Sequence, residues 1–175
     1  MKYRDLSPWS CCAITDGVMS AVTPREIAPF IAGQHQNRAV KILVDGETCY
    51  APRGAYFDGS VRIEGNLVAP FGTHFWKHLV VSGDLELGPA SSVAGTVSCR
   101  NALIGGRAII KGDLTAEGTV FACDRVVIRA IRAGGDVVLR PGVIVGEVVT
   151  PGTITVIGKV LSDRLEGWKV VVLPG

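Results

Sequence analysis

One short pattern recurs through most of the chain: a glycine, a polar residue, then an apolar residue. It stands at Gly65-Asn66-Leu67, Gly83-Asp84-Leu85, Gly95-Thr96-Val97, Gly112-Asp113-Leu114, Gly146-Glu147-Val148 and Gly158-Lys159-Val160. Gly65 to Gly83 is 18 residues, Gly95 to Gly112 is 17, and Gly112 to Ala130, where alanine replaces the glycine, is 18. Two steps, Gly83 to Gly95 and Gly146 to Gly158, are 12. A coil of about 18 residues with three faces of about six accounts for both lengths, because a 12-residue step moves the motif two faces on. Strands this short and evenly spaced leave no room for crossover helices. The expected architecture is a parallel β-solenoid. It turns a corner every few residues, and a small residue suits each place where the backbone bends. The polar residue that follows points outward, and the next Val, Leu or Ile points into the shared core.

Composition agrees with thin, regular layers. Of the 175 residues 47% are apolar but only 6% aromatic, so Val, Ile, Leu and Ala carry the core. We expect an all-β, single-domain, single-stranded parallel β-helix of five to six coils over residues 61–163. A cap segment over 1–60 precedes it, and a C-terminal strand or cap over 164–175 follows. Within the cap, Thr23-Pro24-Arg25-Glu26 has the form of a capping box with proline at the first helical position, and Ile27, Phe30 and Ile31 make one apolar face. This predicts a short helix over 24–32. In VKILVDGETCY, residues 40–50, Asp45-Gly46 predicts a two-residue hairpin turn. The net charge of +2 is too small to imply nucleic-acid binding by itself. No uncharged apolar run reaches the roughly 18 residues of a membrane span, and MKYRDLSPWSCC lacks a signal-peptide core. A cytoplasmic protein is the expectation, with its five cysteines reduced because no CxxC pair exists.

The segments LELGPASSVAGTVSCRNALIGGRAIIKGDLTAEGTV and VVLRPGVIVGEVVTPGTITVIG resemble the bactofilins, polymer-forming cytoskeletal β-helix proteins. The Gly-Glu-Val-x-Thr-Pro run at Gly146 to Pro151 is similar to one near the end of that family's domain. The resemblance covers about residues 61–160. It implies a right-handed β-helix, no catalytic residues or cofactor, and end-to-end assembly into filaments. The chain departs from the family in the structured-looking residues 1–60 and in the apolar end Leu165 to Leu173. The alternative class is enzymatic: a left-handed hexapeptide acyltransferase or a gamma-type carbonic anhydrase.

Candidate sites are few. His74 and His78 in FGTHFWKH are weak metal candidates, since the third histidine is His35 and a catalytic zinc needs three converging ligands. Pro70 and Phe71 interrupt the repeat there, which suggests a protruding aromatic loop. No histidine follows residue 78, which leaves a hexapeptide acyltransferase without its base. Cys99 and Cys123 read as small core residues within strands. The clearest charge pattern is Arg107, Lys111, Arg125 and Arg129. Arg107 to Arg125 and Lys111 to Arg129 are each 18 residues, one coil, so like stacks on like about 4.8 Å apart. Such a face suits an anionic partner, an anionic membrane surface or an acidic protein segment, with Asp113, Glu117 and Asp124 near enough to offset it. No aromatic residues interleave it, so specific nucleic-acid binding is not expected. Trp168, Val170 and Val172 alternate as a strand with one buried face and are the expected self-association residues. The expected partner is therefore the chain itself, as a tail-to-tail dimer or a filament.

Overall fold

The computed structural model describes residues 13–15, 18–20 and 40–175. The expected helix over 24–32 lies outside the described residues. The described part is all β, with no helix and hence none long and apolar enough to cross a membrane. β1 (Ala13–Thr15) and β2 (Val18–Ser20) form an antiparallel pair, as do β3 (Leu43–Asp45) and β4 (Thr48–Tyr50). The second pair is the expected hairpin, but its turn lies one residue later. Asp45 pairs with Thr48, and the loop is Gly46-Glu47 with only Gly46 at positive φ. Glycine therefore sits at the first loop position, where a two-residue hairpin can use its left-handed backbone, and the aspartate closes the ladder.

From β4 onward the chain winds. β5 (Tyr56–Phe57), β6 (Ser60–Ile63) and β7 (Asn66–Ala69) make the first full turn. β8 (His74–Phe75), β9 (Leu79–Val81) and β10 (Leu85–Leu87) make the second, and β11 (Ser92–Val93), β12 (Val97–Cys99) and β13 (Ala102–Ile104) the third. In later turns the first two strands merge into one long, bent strand. β14 (Ile109–Ala116) is followed by β15 (Val120–Ala122), and β16 (Val127–Ala133) by β17 (Val137–Leu139). β18 (Ile144–Val149) with β19 (Thr153–Ile157), and β20 (Leu161–Glu166) with β21 (Lys169–Leu173), complete a solenoid of about seven turns. The expected five to six coils fell short because stacking starts before residue 61, at β4 against β7, and runs to the end of β21 against β19.

Every coil-to-coil pairing is parallel. On the third face Cys49, Leu67, Leu85, Ala102, Val120, Val137, Ile154 and Val170 fall in one column. The period therefore stays between 16 and 18 residues. Such columns meet in a continuous core, where Ile63, Leu67, Leu79, Leu87, Leu114 and Leu139 are at most 1% exposed. Phe57 and Phe75 stack face to face with centroids 4.8 Å apart, filling the N-terminal cross-section where later coils use Ile and Val. At Gly112 a Cβ would lie 2.4 Å from the backbone oxygen of Gly95, so the corner glycines are small because coils touch there backbone to backbone.

Polar residues at the corners do more than face water. Asn66 Oδ1 accepts from the Asp84 amide at 2.9 Å, Asn101 Oδ1 from the Thr119 amide at 2.9 Å and Asp136 Oδ1 from the Thr153 amide at 2.7 Å. Asn101 Nδ2 in turn donates to Asp84 Oδ1 at 2.8 Å. These three corners thus each satisfy an amide that the bend takes out of the strand ladder.

Candidate functional site

The four basic residues lie along two edges of the first face. Arg107 and Arg125 occupy the corner that leads into it, and the Arg107 amide donates to the Asp124 carbonyl of the next coil. Lys111 and Arg129 occupy the corner that leads out. Between these rows Ile109 pairs with Val127. A bulge after Ile110 places both Lys111 and Gly112 against Arg129. The acidic residues do not neutralise the group uniformly. Asp113 Oδ1 lies 3.7 Å from Arg129 Nε, whereas Asp124 pairs with Arg140 at 2.7 Å. Among the described residues Arg107, Lys111 and Arg125 take part in no ion pair. Arg107 and Arg125 also have φ of 61° and 59°, in the left-handed region. The equivalent corners hold Gly54, Gly72 and Gly142 at φ of 68°, 71° and 80°, and Ala90 at 54°. Two coils therefore place arginine where glycine is the easy choice.

Sequence reasoning did not find what lies between the rows. Ile109, Val127, Ile144 and Leu161 stack in register on successive rungs of the first face and point outward, 37–55% exposed. In the N-terminal half the same column holds Tyr56, His74 and Ser92. The stripe can be read from the six-residue alignment GRAIIK, DRVVIR and PGVIVG, in which both of two successive apolar residues recur. A single buried face needs only one of them.

Among the described residues nothing covers the core at the last coil. Val170 and Val172 continue the third-face columns of Ile154 and Val156, which are 0% and 6% exposed, yet they are 43% and 69% exposed themselves. Trp168, at 81%, follows Gly152 in its column, and its amide donates to the Gly152 carbonyl at 3.0 Å. Among the described residues nothing pairs with the outer edges of β20 and β21. The opposite end differs: β3 covers the edge of β4, and β2 pairs with β6.

The remaining candidates are structural. FGTHFWKH is a regular rung rather than a protruding loop. Pro70, Phe71 and Gly72 form its corner, and Phe75 enters the core while His74 stays exposed. His74 Nδ1 lies 2.8 Å from Ser92 Oγ and His78 Nδ1 2.8 Å from Thr96 Oγ1, so each imidazole is held by a hydroxyl one coil on. Among the described residues no three His, Cys, Asp or Glu side chains converge. Cys99 is a core residue at 3% exposure, and its thiol is pushed up to about 12 by burial, with Asp84 and Glu117 adding to the effect. Cys123 is not within a strand. It is half-buried just past β15, and burial raises its thiol against the opposing pull of Arg140. A shallow depression of about 320 Å³ on the bent strands is lined by Asp113, Arg132, Glu147, Asp163 and Arg164 among others, and its charges largely pair among themselves, as in Arg164 with Glu147 at 3.3 Å. No protein family, curated protein or solved structure matches the chain.

Proposed function

We propose that the protein is a structural, self-associating scaffold of the bactofilin kind, joined through its C-terminal coil. The observation that carries this reading is the open core at β20 and β21. Among the described residues nothing covers Val170 and Val172, whose columns are buried in every earlier turn, or pairs with the outer edges of β20 and β21, and such an edge is a template for another chain. Burying what Val170 and Val172 still expose, together about one whole valine side chain, contributes roughly 1.5–3 kcal/mol per protomer. Trp168 adds the larger area of an indole. The covered edges of β4 and β6 oppose simple head-to-tail stacking. The assembly unit is a two-fold pair in which each protomer offers the same end. The bactofilin resemblance supports the class. Negative-stain electron microscopy of the purified chain tests the reading. Rods two solenoids long, or filaments built from them, are expected, whereas uniform particles one solenoid long at micromolar concentration would overturn it.

A further inference from the structure

We propose that the C-terminal half of the first face docks on an anionic lipid surface. Ile109, Val127, Ile144 and Leu161 form an unbroken aliphatic row over four rungs, each exposed by more than a third. At the standard rung spacing the row is about 14 Å long. Arg107 and Arg125 border it on one side, Lys111 and Arg129 on the other, and four residues of extended strand put the two borders about 13 Å apart. Aliphatic side chains between two rows of cations match the boundary between acyl chains and anionic headgroups. The left-handed backbone at Arg107 and Arg125 is an independent sign. Backbone strain at two neighbouring corners keeps guanidinium groups where the other coils use glycine or alanine.

Other occupants fit less well. A second copy placed face to face would oppose one cationic border with another. An extended peptide laid across the three inner rungs finds no amide to pair with, because these are already used between coils: Ile109 donates to Ser91, Val127 to Ala108 and Ile144 to Val126. Laid along the row, its same-side residues would repeat every 6.4–6.8 Å against rungs about 4.8 Å apart. A fluid bilayer imposes no register and meets a flat face everywhere at once. Asp163 beside Leu161 is the one acidic residue on the border that the ion pairs leave uncompensated, and it places the weakest contact at the last rung.

The test is co-sedimentation of the full chain with phosphatidylcholine vesicles, with and without phosphatidylglycerol, at low and high salt. Binding is expected only with phosphatidylglycerol and is expected to weaken with salt. At about 1 kcal/mol per cation, Arg107→Gln with Arg125→Gln weakens it about 30-fold. Ile109→Ser with Ile144→Ser weakens it while leaving its salt dependence in place. Circular dichroism shows that the variants are folded, and light scattering on the same samples keeps a failure here distinct from a failure of self-association. Wild-type protein that ignores phosphatidylglycerol vesicles at low salt would overturn the proposal, as would serine variants that bind unchanged. Polyglutamate bound more tightly than phosphatidylglycerol vesicles at matched charge, and equally by the serine variants, would also overturn it and assign the face to an acidic protein segment.

Discussion

Replacing Arg125 by glycine should stabilise the protein. Glycine ordinarily weakens a β structure by 0.5–1 kcal/mol relative to alanine, because it has more freedom to lose on folding. Arg125 sits at φ 59°, where an L-residue's Cβ crowds the following carbonyl at a cost of about 1–2 kcal/mol. Removing the Cβ recovers that cost less the entropic loss, a net gain of about 0.5–1 kcal/mol. The cleanest comparison is Arg125→Gly with Arg125→Ala. Both remove the charge and the stacking of like on like with Arg107, but only glycine relieves the backbone. Gly142→Ala is the reverse experiment. At φ 80° its new Cβ would stand 2.9 Å from Arg125 Cγ, so a loss of at least about 1 kcal/mol is expected. In urea, with a slope of about 2–3 kcal/mol/M, the two Arg125 variants should differ in midpoint by about 0.2–0.5 M at unchanged slope. An alanine variant as stable as the glycine variant, or more so, would show that the corner carries no left-handed strain.

Gly112→Ala brings a Cβ to 2.4 Å from the Gly95 carbonyl oxygen and should cost about 3 kcal/mol, read by the same denaturation. Leu114→Ala, at 0% exposure between Val97 and Ile131, should cost about 2–5 kcal/mol with no change in the state of assembly. The Cys99 thiol is raised in the fold from 9.0 to about 12, so its contribution is intact below pH 9 and is lost as pH rises toward 12. Stability should fall by up to about 1.4 kcal/mol per pH unit in that window, and the fall should vanish in Cys99→Ala. In the native protein Cys99 should react with thiol reagents at pH 8 far more slowly than Cys123, as mass spectrometry of the labelled chain would show.

The period, the three-sided coil and the parallel stacking were legible in the sequence because a solenoid reuses the same environment every turn. Both glycine steps are explained by registers that the structure contains: Leu85 over Leu67 on one face, and Val97 over Leu79 two faces on. The number of turns was less legible. Neither Gly72-Thr73-His74 nor Gly54-Ala55-Tyr56 shows the glycine, polar, apolar order, so the first looked like an interruption and the second like part of the cap. The backbone there needs only positive φ, which Gly54 and Gly72 supply. The two proposed surfaces were half visible. Spacing brought Arg107 to Arg125 and Lys111 to Arg129. The aliphatic row between them was hidden because Val126 and Val127, or Val143 and Ile144, are chemically alike although one enters the core and the other faces water. The alternation of Trp168, Val170 and Val172 marked this strand as the expected self-association segment, but did not show how far each side chain stands exposed. The two valines have the character of core residues, and only the absence of a covering strand among the described residues exposes them.

The claim that the C-terminal coil is an assembly surface is tested most directly by multi-angle light scattering across a concentration series. The wild-type chain is compared with a variant carrying Trp168→Glu and Val170→Glu. The wild type should have a mass of at least twice 18.4 kDa, and the variant should return to 18.4 kDa with its circular dichroism unchanged. A wild type that stays at 18.4 kDa throughout, or a variant that keeps the wild-type mass, would contradict the account.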